Sequence, residues 1–208
     1  MYAMGCLLAV AFAGIWSGVP APPAIFLGPE ASAIEQGAST DLQRLLHAAT
    51  GTLYPVKTID TVPADAKGIV IGTPSSLPKA GQSWPFGLEE PGADGYILYS
   101  DTDTNSLVFV AGQTATAAQH GVYGLLETLG FGFYTSQETL PDAFSDIPAL
   151  RLPRFNASVT PVFKVRGTLP FYDYLMGHSA WEIRDYKAYM DALARMRMNT
   201  VTFYVRDD

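Results

Sequence analysis

A single cysteine, Cys6, stands in 208 residues, so the chain can build neither an internal disulfide nor a Cys-pair or Cys/His metal framework. Charge is scarce as well. Charged residues make up 16% of the chain, with 20 acidic against 13 basic side chains and a formal net charge of −7. That balance leaves no basic face for the phosphates of a nucleic acid or for an anionic membrane surface. Also missing are a Walker loop, a dinucleotide fingerprint, a metal-binding histidine pair and a nucleophile elbow. No cofactor, no metal and no nucleic acid are therefore expected. What the chain does have is apolar mass: 48% hydrophobic residues, in a length that allows one or two domains with a real core.

Residues 1–21 stand apart because they carry no charged side chain. The run Leu7-Leu8-Ala9-Val10-Ala11-Phe12-Ala13-Gly14-Ile15-Trp16 has roughly the length of a signal-peptide apolar region, and Ser17, Gly18 and Ala21 supply the small residues a cleavage site needs. A basic segment before it is missing. The expectation is an exported protein, periplasmic or extracellular, with residues 1–21 as its signal peptide. A membrane anchor is the alternative, although the run falls short of the about 20 apolar residues a span requires.

Residues 22–155 read as an α+β domain. Ala24–Gly28 is a candidate strand. Ser32 and Glu35 form a capping box for a helix whose stripe is Ile34, Ala38, Leu42, Leu45, Leu46 and Ala49, closed by Gly51. Tyr54–Thr58 and Gly68–Gly72 read as further strands, the second apolar enough to be central. Gly95–Ser100 and Leu107–Gly112, joined by the turn-forming Asp101-Thr102-Asp103-Thr104-Asn105, read as a hairpin. Thr114 caps a second helix with the stripe Ala118, Val122, Leu125, Leu126 and Leu129, and Gly130 closes it. The implied fold is a mixed, mainly antiparallel sheet with two helices packed on it. A Pro-rich connector runs from about Leu140 to Pro161.

Residues 156–208 have a different rhythm. Pro161–Gly167 reads as a strand, Arg184–Met198 as a helix, and Asn199–Val205 as a second strand, with Asp207 and Asp208 just past it. Strand, helix, strand is one parallel βαβ unit, which needs more sheet and helix to cover its faces. The expectation is the start (β-α-β) of an incomplete (β/α)8 barrel, its missing remainder being the partner of this segment.

A resemblance joins the two segments. The order Gly95-Tyr96-Ile97-Leu98, Val108-Phe109-Val110-Ala111-Gly112 and then Gln119-His120-Gly121-Val122-Tyr123-Gly124-Leu125-Leu126-Glu127-Thr128-Leu129-Gly130 resembles a non-catalytic domain. That domain precedes the barrel in bacterial β-hexosaminidases and α-glucuronidases. Arg166-Gly167 is similar to the "RG" at the end of the first barrel strand of family 20 glycoside hydrolases. Leu193-Ala194-Arg195-Met196-Arg197-Met198-Asn199 is similar to the helix that leads into the second strand. Departures at residues 168–173, and at Thr202 and Tyr204 where that family carries histidines, turn the likeness toward α-glucuronidase-like or uncharacterised relatives that share the same two-domain plan.

The resemblance implies the N-terminal portion of an exported glycoside hydrolase that cleaves O-glycosidic bonds of an oligo- or polysaccharide. It also implies that Arg166, placed at the C-terminal mouth of its strand, hydrogen-bonds sugar hydroxyls; an interdomain salt bridge is the other reading of this arginine. Trp181, with Tyr172, Tyr174 and His178 in the first βα loop, is a candidate for the substrate rim. Asp207 and Asp208, just past the second strand, are further substrate-binding candidates. Adjacent strand residues point to opposite faces, so the pair does not make the carboxylate couple that glycoside hydrolysis needs. No catalytic residue is expected in this chain, and 208 residues alone should be inactive. A non-catalytic carbohydrate-binding or cell-surface module is the alternative function.

Overall fold

The computed structural model describes residues 23–79, 91–100, 107–135, 137–141, 152–169 and 181–202. Their elements are β1 (Ala24–Leu27), α1 (Ala33–Thr50), β2 (Val56–Thr58), β3 (Gly68–Gly72), β4 (Tyr96–Ser100), β5 (Leu107–Gly112), α2 (Ala115–Thr128), β6 (Gly132–Phe133), β7 (Glu138–Thr139), β8 (Asn156–Val159), β9 (Gly167–Thr168), α3 (Ile183–Arg195) and β10 (Thr200–Val201). The fold is α+β, a mixed sheet with three helices. The apolar run at 7–16, the turn at 101–105, the loop aromatics Tyr172, Tyr174 and His178, and Asp207 and Asp208 lie outside the described residues. Among those described, no helix is long and apolar enough to cross a membrane.

β1, β3 and β5 are apolar without alternation, and every residue in them is buried. Strands of that kind must be covered on both faces, the condition of a parallel sheet centre. They lie side by side in a six-stranded sheet of order β2-β1-β3-β5-β4-β8. Three of its five ladders are parallel, β1–β2, β1–β3 and β3–β5, and two are antiparallel, β4–β5 and β4–β8. The expected "mainly antiparallel" sheet is thus corrected. The cause is α1, which carries the chain back across the sheet so that β2 returns in the direction of β1. The expected β4–β5 pairing is present.

On one face Ile25, Leu27, Ile69, Ile71, Val108 and Val110 meet Leu42, Leu45 and Leu46 of α1 and Val122, Leu125 and Leu126 of α2. Among the described residues the other face is closed by loops, with Val62 and partly buried Ile59 and Leu77 over Phe26, Val70 and Phe109. Ile34, expected on the inner stripe, is 43% exposed. It sits in the first turn of α1, beyond the reach of the sheet.

Both helix starts obey local chemistry. The Ser32 hydroxyl accepts the Glu35 N–H at 3.3 Å, and the Glu35 carboxylate accepts the Ser32 N–H at 2.6 Å. Glu35 is itself buried, because its other oxygen accepts the Thr73 N–H at 3.1 Å and the Ser76 hydroxyl. Gly51 ends α1 at φ 70, in the left-handed conformation a side chain disfavours. In α2, Gly121 and Gly124 face Tyr96 of β4, and a Cβ at position 124 would collide with the Tyr96 ring and hydroxyl. The glycine spacing of the helix motif therefore has a physical meaning: it lets α2 lie directly on the sheet.

Two boundaries move. β8 falls within the expected connector and beyond the expected domain limit at 155, yet it completes the sheet by pairing with β4 from Asn156 to Val159. Its alternation of exposed Asn156 and Ser158 with half-buried Ala157 and Val159 is that of an edge strand. The strand expected over 161–167 shrinks to Gly167–Thr168, which pairs in parallel with Thr200–Val201. Residues 161–166 make no sheet ladder, and Val162, Phe163 and Val165 are 90%, 72% and 71% exposed. β9–α3–β10 is nonetheless a parallel βαβ unit, as expected.

Candidate functional site

The βαβ unit meets the sheet module through a row of arginines. Arg195, at the end of α3, donates from Nε to Asp41 of α1 at 2.8 Å. Asp41 also accepts from the Tyr123 hydroxyl at 3.1 Å and from Arg44 at 3.1 and 3.2 Å. Arg44 in turn donates to Glu138 of β7. Burial pushes the Asp41 carboxyl up, but hydrogen bonding and charge from Arg195 and Arg44 outweigh it and hold Asp41 below its ordinary value. Burial first, and then the Asp41 carboxylate, raise the Tyr123 phenol. Arg197, in the turn after α3, pairs with Glu127 of α2.

Arg166 belongs to the same seam. It immediately precedes β9, so it stands at the entry of that strand and not at its C-terminal mouth, which corrects the expected position. Its Nε donates to the Arg197 carbonyl at 3.0 Å and Nη1 to the Phe163 carbonyl at 2.7 Å, with Asp94 at 3.5 Å. Asn199 completes the knot, donating to Asp94 at 2.6 Å and to the Lys164 carbonyl at 2.8 Å. This is the salt-bridge geometry of the second reading. The expected strand was drawn too long, and its true start at Gly167 moves Arg166 to the opposite end.

His120 of α2 lies beside this knot and is 1% exposed, a packed residue. Among the described residues neither of its ring nitrogens closes a hydrogen bond of normal geometry, and the same holds for Nη2 of Arg166. Burial lowers its pKa first, and the nearby Arg166 charge lowers it further, while Asp94 works in the other direction. His120 is therefore held neutral.

The strand-exit end of the unit is where Trp181 sits. Its indole meets Tyr189 edge-on at 5.0 Å and Tyr186 at 5.4 Å. Tyr189 shares a 2.6 Å hydrogen bond with the Thr168 hydroxyl, at the C-terminal end of β9. Beside them, a cleft of about 580 Å³ opens between α3 and the β6–β7 ribbon, lined by Trp181, Tyr189, Asp185 and Asp191 on one wall and by Tyr134 and Glu138 on the other. Among the described residues no group of three His, Cys, Asp or Glu side chains could hold a metal ion.

The structure thus separates the expected site residues, placing Arg166 at the entry of β9 and Trp181 near its exit. The residues the sequence reading missed are Asp41, Asp94, Glu127 and Glu138, which receive the arginines. Their only signal was Asp41 three residues before Arg44 on α1, an ordinary surface spacing. Their decisive partners lie far away in sequence.

No family model matches the sequence, and no curated protein matches it. Solved structures do match in fold. A GH115 4-O-methyl-α-glucuronidase with specificity for decorated arabinogalactans aligns at TM-score 0.60 and 15% identity, over 88% of this chain and 25% of that chain. Two mutant Streptomyces plicatus β-hexosaminidases in complex with the product GlcNAc align at 0.47 and 0.49, each at 18% identity, over 89% and 91% of this chain and 30% and 31% of theirs. The chain therefore spans between a quarter and a third of the length of these structures. At such identities the likeness concerns the fold, and the first of them carries it.

Proposed function

We propose that this chain is the amino-terminal portion of a glycoside hydrolase of α-glucuronidase or hexosaminidase type, in which a sheet module braces the first βαβ of a catalytic barrel. One observation carries the reading. The βαβ unit is attached to the module by three arginines, Arg166, Arg195 and Arg197, each set against a carboxylate of the module. Such fixed, partly buried pairs orient one body on another more than they add stability. The fold shared with the GH115 enzyme supports this reading. So does the resemblance over Gln119–Gly130, where Gly121 and Gly124 seat α2 on Tyr96. Export by a leader over residues 1–21 belongs to the same proposal, as does an oligo- or polysaccharide substrate.

In this reading Arg166 positions the barrel on the module, and hydrolysis depends on carboxylates carried by later barrel strands. The polypeptide bearing the complete barrel is expected to release nitrophenol from aryl α-glucuronides or aryl N-acetyl-β-glucosaminides, and the 208-residue chain alone to release none. Turnover that tracks the purified 208-residue chain, or none of either kind by the barrel-bearing polypeptide, would overturn it.

A further inference from the structure

We infer that the cleft between α3 and the β6–β7 ribbon is a binding subsite for uncharged saccharide, placed beside the strand-exit end of the βαβ unit. The ligand class rests on the glycoside hydrolase reading; the preference for neutral sugar comes from the cleft itself. Its volume of about 580 Å³ lies within the range of ligand pockets, roughly 300–1,000 Å³. Tyr134 stands 56% exposed on one wall, and the Trp181–Tyr189 pair forms the other. Aromatic rings offer flat apolar faces to the C–H surface of a sugar ring at little conformational cost.

Charge then chooses among sugars. The two cations in the cleft lining, Arg44 and Arg195, are both occupied by Asp41 and Glu138. Asp185 is drawn to the start of its own helix, where it accepts the Glu182 N–H at 2.9 Å. Asp191 makes no hydrogen bond or ion pair with another described residue. With the arginines neutralised and Asp185 itself paired with Arg184 at 3.7 Å, it is Asp191 that leaves the cleft lining with residual negative charge. A uronate carboxylate meets repulsion there, whereas neutral hydroxyls find acceptors. Tyr189 ties the cleft to the strand-exit end through its bond to Thr168, the end at which parallel α/β sheets gather their ligands. A polysaccharide lying in the cleft would thus have its neutral backbone held while a charged branch projects elsewhere.

Isothermal titration of the 208-residue chain tests this with three probes, xylohexaose, a β-1,3-galactohexaose and hexagalacturonate. At least one neutral hexasaccharide is expected to bind with Kd on the order of 1 mM or tighter, and hexagalacturonate at least tenfold more weakly. Tyr134→Ala and Asp191→Asn change exposed side chains, so both variants should keep the parent Tm while each weakens binding of the neutral probe about fivefold or more. Absence of binding to both neutral probes, unchanged affinity in either variant, or preference for the uronate would overturn the inference. Hydrolysis by the barrel-bearing polypeptide is read separately. Loss of the subsite with hydrolysis intact rejects this inference alone, and loss of hydrolysis rejects the reading beneath it.

Discussion

The sheet module and the βαβ unit bury their apolar residues very differently. α1 buries Ala38, Leu42, Leu45 and Leu46 against strands that are themselves closed on both faces. α3 buries only Ala192 and Leu193. Val162, Phe163, Val165, Leu169 and Ile183, all in or next to the βαβ unit, are each more than half exposed. The module is held by a dry core, and the unit beside it by arginine–carboxylate pairs around a small apolar contact. Hydrophobic burial scales with area and is insensitive to geometry, while ion pairs are weak contributors that demand exact partners. The first region is therefore built for stability and the second for position.

Core truncation should break the comparison most sharply. Leu42→Ala is expected to lower the unfolding free energy of the whole chain by about 2–5 kcal/mol, the usual cost of a core cavity, read by urea denaturation. Leu193→Ala should instead free the amides of α3 to exchange while those of β3 and β5 stay protected. Equal loss of protection in both regions would show that they unfold as one body.

The seam comes next. Arg195→Ala removes a charged donor from a partly buried carboxylate, and about 1–3 kcal/mol of docking should go with it. Asp41→Asn should be strongly non-additive with it, because both remove the same bond. Independent effects would mean that the pair does not couple the regions.

Acid should act on the same seam. Asp41 and Glu138 both lie below their ordinary values of 3.8 and 4.5 in the folded chain, Asp41 against its burial and Glu138 chiefly through its hydrogen bond from Arg44. Groups depressed by folding lend stability that is complete above the unfolded values and is lost as pH falls through the folded ones. Protection of α3 is thus expected to hold at pH 5 and to decline below about pH 4, before the module core opens. Simultaneous loss would contradict the division.

Smaller effects sharpen it further. His120→Leu removes two buried nitrogens that close no hydrogen bond among the described residues and should raise stability by about 1 kcal/mol. It should also abolish the decline expected of the wild type as pH falls below 6.5, since a histidine whose pKa folding lowers resists the proton that the unfolded chain accepts. Arg44→Ala, at a side chain 45% exposed, should cost less than about 1 kcal/mol.

What the sequence reveals follows the range of the interaction. Ser32, Glu35, Gly51 and Thr114 act within a turn of themselves, and all four sit where local rules put them. The buried strands and the two helical stripes were equally legible, because periodicity is local. The direction of strand pairing was not, since a short apolar run reads the same in parallel and antiparallel sheets. β8 hid in a Pro-rich stretch because an edge strand needs only half a pattern. Arg166 was misplaced by the over-extension of one strand, whose residues Phe163 and Val165 alternate with Lys164 and Arg166 without a sheet to pair with. Of the seam's carboxylates only Asp41 carried a signal, its spacing to Arg44, and that does not point to the seam. Asp41 meets Arg195 across most of the chain, and no spacing rule reaches that far.

The β4–β8 ladder has a consequence in time. Tyr96 faces Val159 across the most remote strand pairing of the sheet, and remote pairings are slow to close. During synthesis, β1 through β5 can assemble while β4 still exposes one edge. That edge is sealed only when residues 156–159 arrive, and β9 follows within a few residues. The last stitch of the module and the first strand of the next unit are thus nearly simultaneous events. In refolding followed by pulsed hydrogen exchange, the amides of Leu98 and Ser100, on the β8 side of β4, should gain protection late, together with those of β9.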